Sequence, residues 1–196
     1  MAIVDDSTQS EKKSPFYLGN VEVVNTWKSL AEDLNGEISG SVNAYRVELE
    51  IKVPFKGLLV KGVKEQYTAQ SDTLYSENSH YSELTTLIYK TEWISRTLKV
   101  GKPGFLGKTL RFIRKGINSE YLSNGFLLSS DSIETLQKAK ESIELQSIID
   151  GLNLISLQVE PRKGLIKFQF NKLFVKEEQF DVVFQLKEEM IKENWC

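Results

Sequence analysis

Tyr45-Arg46-Val47-Glu48-Leu49-Glu50-Ile51-Lys52-Val53 is the stretch on which the fold class turns. Tyr45, Val47, Leu49, Ile51 and Val53 share one side, and Arg46, Glu48, Glu50 and Lys52 share the other. Successive side chains of a β-strand point to opposite faces, so this alternation describes a strand with one face on a core and one in water. A parallel strand covered on both faces would read as an unbroken apolar run instead. Pro54-Phe55-Lys56-Gly57 stops the strand, and residues 58–63 start an antiparallel return. The pattern predicts an α+β protein with a partly solvated antiparallel sheet of about four strands.

Upstream, Val23, Val24, Trp27, Leu30, Ala31 and Leu34 recur at helical spacing. They predict a helix capped by Asn20 and closed by Gly36, with Trp27 as its core anchor. Residues 1–18 are polar and charged and read as a flexible arm, leaving residues 19–196 as one domain. Downstream, Gly62 predicts a bulge in the return strand. Residues 70–80 form a polar connection, and residues 81–90 and 93–100 suit two more strands.

Residues 126–129 suit a short strand. Asp131, with Glu134 three residues on, resembles a capping box opening a helix whose face carries Ile133, Leu136, Ala139 and Ile143. A shorter helix bearing Leu145, Ile148 and Ile149 ends at Gly151. Residues 152–159 and 165–170 read as a hairpin about Glu160-Pro161-Arg162-Lys163-Gly164. Phe180, Val183, Phe184, Leu186, Met190 and Ile191 predict a final helix, and no internal repeat is visible.

The 25 basic and 27 acidic residues nearly cancel, so global charge points to no polyanionic partner, and nucleic acid is not expected. The one cysteine, Cys196, excludes a disulfide framework within the chain. The first residues lack a basic region followed by an apolar run, and no apolar stretch reaches the length of a membrane span. The expectation is a soluble, intracellular, cytoplasmic protein.

Three stretches together resemble a group of bacterial proteins of about this length to which no activity is assigned. They are Trp27-Lys-Ser-Leu-Ala-Glu-Asp-Leu-Asn-Gly36 with the strand ending Val53-Pro54-Phe55, then Leu98-Lys-Val-Gly-Lys-Pro-Gly-Phe-Leu-Gly-Lys108, and Phe126-Leu-Leu-Ser-Ser-Asp131. None of these stretches carries chemistry, so the resemblance implies no catalytic residue.

Gly101-Lys102-Pro103-Gly104-Phe105-Leu106-Gly107-Lys108-Thr109 is the stretch nearest to a chemical motif. A phosphate-binding loop places four residues between its first glycine and Gly-Lys-Ser/Thr, so that amides cradle the phosphates and the lysine reaches the terminal one. Here five residues separate Gly101 from Gly107, which spoils the convergence of amides on one anion. Gly101, Gly104, Gly107, Lys108 and Thr109 are the residues such a site would use. The plain alternative is a glycine-rich turn before a helix.

The same region holds the strongest charge anomaly. Arg96, Lys99, Lys102, Lys108, Arg111, Arg114 and Lys115 are basic, and no acid occurs in residues 96–119. On a helix turning about 100° per residue, Phe105, Leu106, Leu110 and Ile113 cluster opposite Lys108, Arg111, Arg114 and Lys115. Such a helix can lie on an anionic membrane surface or bind an acidic protein partner. Alternatively its apolar side packs on the chain's own sheet and the cations face water.

His80 sits alone in a polar stretch without the partners that zinc or a hydrolase triad needs. Glu177-Glu178 and Glu188-Glu189 are neighbours in sequence, and adjacent helical positions do not face each other, so they read as solvated. Cys196 has no visible device lowering its pKa. Tyr67, Tyr75 and Tyr81 flank the polar connection and could rim a pocket or simply belong to strands.

These features predict a non-catalytic binding or interaction domain acting through the sheet or a basic helix at residues 105–115. Binding of a nucleotide or phosphate through residues 101–109 is the competing reading. No metal or cofactor is expected.

Overall fold

Val47, Leu49, Ile51 and Val53 are buried and Arg46, Glu48 and Lys52 exposed, as the alternation requires. The computed structural model describes residues 2–69, 78–92, 94–103 and 117–195. Its strands are β1 (Ile3–Asp5), β2 (Glu37–Val42), β3 (Arg46–Val53), β4 (Leu58–Ala69), β5 (Asn78–Lys90), β6 (Leu98–Gly101), β7 (Asn118–Tyr121), β8 (Leu127–Ser130), β9 (Leu154–Glu160) and β10 (Leu165–Phe170). Its helices of nine residues or more are α1 (Pro15–Asp33), α2 (Ile133–Glu141), α3 (Ile143–Gly151) and α4 (Glu177–Lys192). The α+β class is as expected, although the strands outnumber the sequence reading. Two compact units comprise Met1–Thr86 with Asn171–Glu177, and Leu87–Phe170 with Glu178–Cys196.

In the first unit the strand order is β1-β2-β3-β4-β5. β2, β3 and β4 pair antiparallel, while β1 pairs parallel with β2 through Ile3↔Gly40, Val4↔Ser41 and Asp5↔Val42. Part of the predicted arm therefore joins the sheet. Lys12 pairs with Asp5 at 2.8 Å, and the Tyr17 hydroxyl donates to the same carboxylate at 2.9 Å.

Several local expectations need correction. Tyr45 precedes the strand and is 56% exposed, because it sits in a turn where Asn43 Oδ1 accepts from the amides of Tyr45 and Arg46. α1 is capped by Ser14, with proline next to it, and not by Asn20. Asn20 lies buried within the helix, where Nδ2 donates to the Asn43 carbonyl at 2.8 Å and Oδ1 accepts from Lys64 Nζ at 2.9 Å. At the other end Asn35, with φ of 52°, takes the left-handed position assigned to Gly36.

Trp27 is fully buried, and its indole N–H donates to the Phe174 carbonyl at 2.8 Å. This ring also explains Gly62. β3 and β4 stay in register through Leu49↔Gly62, so no bulge occurs there. A Cβ at Gly62 would lie 2.5 Å from two Trp27 ring carbons, and the glycine makes room for the indole.

In the second unit the order is β10-β9-β6-β8-β7, with every pair antiparallel. The cap of α2 is Ser132, whose hydroxyl accepts from the Thr135 amide, whereas Asp131 accepts from the Thr97 amide at 3.0 Å. Ile133 and Ile143 stand at the first positions of α2 and α3 and are 62% and 80% exposed, outside the apolar face predicted for them. The buried face consists of Leu136, Ala139, Leu145, Ile148 and Ile149, and α4 adds Phe180, Val183, Leu186 and Met190. His80 lies in β5 and not in a loop.

Each unit has one strand-to-strand turn of the same kind, at the two proline-containing turns expected from the sequence. Pro54–Lys56 and Pro161–Lys163 are both 3-10 turns, closed by Gly57 and Gly164 at φ of 56° and 57°. Glycine adopts that left-handed backbone without the strain a Cβ would add.

Candidate functional site

Cross-strand neighbours project on the same side of a sheet, so the register alone assembles the outward surface of each unit. In the first unit Ser39, Glu50 and Lys61 form one row across β2, β3 and β4, and Ser41, Glu48 and Val63 form the next. These six residues, with Gly40 and Leu49, line an open depression of about 410 Å³. Its charges satisfy one another. Glu50 pairs with Lys52 at 2.8 Å and Lys61 at 2.6 Å, and Arg46 pairs with Glu48 at 2.7 Å and Glu65 at 3.1 Å. Hydrogen bonds from Lys52 and Lys61 hold the Glu50 carboxyl below its ordinary value. An incoming charged ligand would first have to break these pairs.

The second unit differs. Leu98 and Val100 of β6 are buried on one face of the sheet; on the other face Lys99 is half-buried and Gly101 is buried. Lys99 stands opposite Ser129 of β8 and Gln158 of β9, and Gln158 stands opposite Lys167 of β10. The result is a row running Ser119, Ser129, Lys99, Gln158, Lys167 across five strands. The adjacent row on the same face holds Tyr121, Leu127, Gly101, Ser156 and Gln169, of which Leu127, Gly101 and Ser156 are buried. Neither row contains a carboxylate. Lys99, Gln158 and Lys167 are each half-buried, and neither lysine has an ion-pair partner among the described residues. Gln158 Nε2 donates to Ser156 Oγ at 3.4 Å, which leaves its second N–H available.

Two further places hold polar groups. Lys90, Thr91, Glu92, Pro161, Lys163 and Gly164 border a cavity of about 430 Å³ in which Lys163 is already paired with Glu160 at 2.6 Å. Between α3 and α4, the Ser142 hydroxyl donates to Glu189 Oε2 at 3.0 Å, and the Glu144 carboxyl faces Glu189. Burial, reinforced by Glu144 and Glu193, pushes Glu189 up to about 7, against the opposing Ser142 hydrogen bond. Glu189 is thus not the fully solvated residue predicted, because its partner comes from another helix. Among the described residues no group of three or more His, Cys, Asp or Glu could hold a metal ion.

A measurable pH dependence follows from Glu189. Its folded pKa is raised above the ordinary 4.5, so it contributes stability fully present below about 4.5 and lost as pH rises to about 7. Glu189→Gln should flatten that decline and raise stability at pH 8 by on the order of 1 kcal/mol, since partial solvent exposure screens the effect. Urea denaturation at pH 5 and pH 8 checks this; an unchanged pH profile in the variant would remove Glu189 as its source.

Of the sequence-predicted site residues, Gly101 is the last residue of β6, registered with Leu127 and Ser156. Both neighbours of β6 are antiparallel, unlike the parallel sheets that carry phosphate-binding loops. Lys102 Nζ lies 5.9 Å from the centre of the Phe126 ring. Gly104, Gly107, Lys108, Thr109, Arg111, Arg114 and Lys115 lie outside the described residues, as do Tyr75 and Cys196. Gln158 and Lys167 were not predicted; their alternation in β9 and β10 was the only local signal.

No protein-family model matches this chain, and no curated protein matches its sequence. Among solved structures it is similar to the mycobacterial trehalose monomycolate transport factor A. That similarity has a TM-score of 0.42 at 10% identity, covering 86% of this chain and 94% of the other.

Proposed function

We propose that the chain is a non-catalytic binding domain that attaches to an anionic lipid surface through the positive side of its second unit. The observation that carries this reading is the pair of half-buried lysines, Lys99 and Lys167, without an ion-pair partner among the described residues, on one cross-strand row that holds no carboxylate. The acid-free run of residues 96–119 adds cations in the same part of the chain, since β6 leads directly into it. Its apolar residues, Phe105, Leu106, Leu110 and Ile113, recur at the spacing of a helix that lies in a membrane interface. No described helix is long and apolar enough to cross a membrane, so attachment is proposed to a surface.

Charge reversal tests the reading. Lys108→Glu, Arg111→Glu and Lys115→Glu together should abolish pelleting with vesicles containing phosphatidylglycerol, while leaving the circular dichroism spectrum and melting temperature unchanged. Each cation near an anionic surface contributes about 1 kcal/mol, so three reversals exceed the attraction that remains. Undiminished pelleting of the triple variant would contradict the proposal. Failure of the wild type to bind vesicles, with retention on an acidic protein column, would assign the charge to a protein partner instead.

A further inference from the structure

We infer that Lys99, Gln158 and Lys167 form a binding site for a phosphate-type oxyanion, the two ammoniums bracketing it and the Gln158 amide supplying a third donor. The inference rests on the proposed attachment to an anionic surface and names the group recognised. The register places the three residues side by side on β6, β9 and β10. Neighbouring strands are about 4.8 Å apart, so the two lysine Cα atoms are roughly 10 Å apart with the glutamine between them. Long lysine side chains converge easily over that span, and a phosphate has enough acceptor oxygens for three donors.

Lys99 and Lys167 are half-buried and have no ion-pair partner among the described residues, so no carboxylate has to be displaced there before an anion binds. Lys52, Lys61 and Lys163 already have glutamate partners at 2.8 Å or less. The floor of the site is small or uncharged, with Ser129, Ser156 and Gly101 buried beside the row. Glu160, two residues along β9 on the same face, is paired with Lys163 at 2.6 Å, and the fixed strand register means the cations need no backbone rearrangement to receive an oxyanion.

The oxyanion could be free phosphate or a lipid headgroup, and the test separates the two. Inorganic phosphate is titrated into the full-length chain at constant ionic strength, with backbone amide shifts followed by NMR and chloride as the control ion. Vesicles of phosphatidylcholine with and without phosphatidic acid form the second arm. The variants are Lys99→Gln and Lys167→Gln, singly and together, with melting temperatures confirming that they fold. A saturable shift of the amides of residues 99, 158 and 167, weakened roughly tenfold by either substitution, supports the site with free phosphate as its ligand. Absence of that shift, with pelleting by phosphatidic acid lost in the double variant, supports it with a headgroup as ligand. The site is overturned if the double variant binds both probes as the wild type does. If vesicle binding then persists but disappears on reversing Lys108, Arg111 and Lys115, the surface attachment stands and only the oxyanion site falls. If the wild type binds neither probe, both fall.

Discussion

Leu49→Asp is expected to unfold the first unit. Leu49 is 1% exposed, lies mid-strand in β3 and stands opposite Gly40 and Gly62 in the register. Its neighbours along the strand, Val47 and Ile51, are fully buried, so no route leads the new carboxylate to water. An unpaired charge there costs at least about 4 kcal/mol, close to the whole stability of a small unit, on the order of 5–15 kcal/mol. Glu48→Gln is the control. Glu48 is exposed and its pairing with Arg46 lies in water, where such pairs contribute about 0–1 kcal/mol. Urea denaturation followed by circular dichroism separates the two, and equal tolerance of both would contradict the assignment of faces in β3.

Gly62→Val should be nearly as damaging, for a steric reason. A Cβ at this position falls 2.5 Å from two carbons of the Trp27 ring and 2.7 Å from a methyl of Leu173, before the valine methyls are added. The ring cannot retreat easily, because it is fully buried and its N–H is held by the Phe174 carbonyl. Overpacking of this kind costs about 1–3 kcal/mol where the surroundings can shift, and more where they cannot. Trp27→Leu alone should also destabilise, by about 3 kcal/mol, through the cavity it leaves. The two changes together should be less harmful than their sum, since each relieves the other. A double-mutant cycle measures this, and strict additivity would show that Gly62 is required for something other than the indole.

These cases show what the sequence could and could not disclose. β3 was legible because eight strand residues alternate without interruption and the buried set is entirely apolar. β6 and β8 fall within or beside strands expected over residues 93–100 and 126–129, whereas β7, four residues with no alternation of apolar and polar, was not expected. Asn20 resembled a cap because asparagine favours helix starts, yet its amide is used by the Asn43 carbonyl and Lys64, partners visible only after folding. Gly62 is likewise explained by a ring from another element.

The candidate site divides in the same way. The acid-free run of residues 96–119 is plain in the sequence because charge is read residue by residue. The row of Lys99, Gln158 and Lys167 arises from strand pairing between distant segments, which no local pattern encodes. Glu189 was misjudged for the same reason, since Glu144 approaches it from α3.

Co-sedimentation of the wild-type chain with vesicles across a salt series tests attachment to an anionic surface most directly. At low salt the chain should pellet with phosphatidylglycerol-containing vesicles and stay in solution with phosphatidylcholine alone. Binding should then fall steeply as ionic strength approaches about 0.1 M, where charges more than about 10 Å apart are screened. No pelleting with the anionic vesicles at low salt, or equal pelleting with both compositions, would contradict the account.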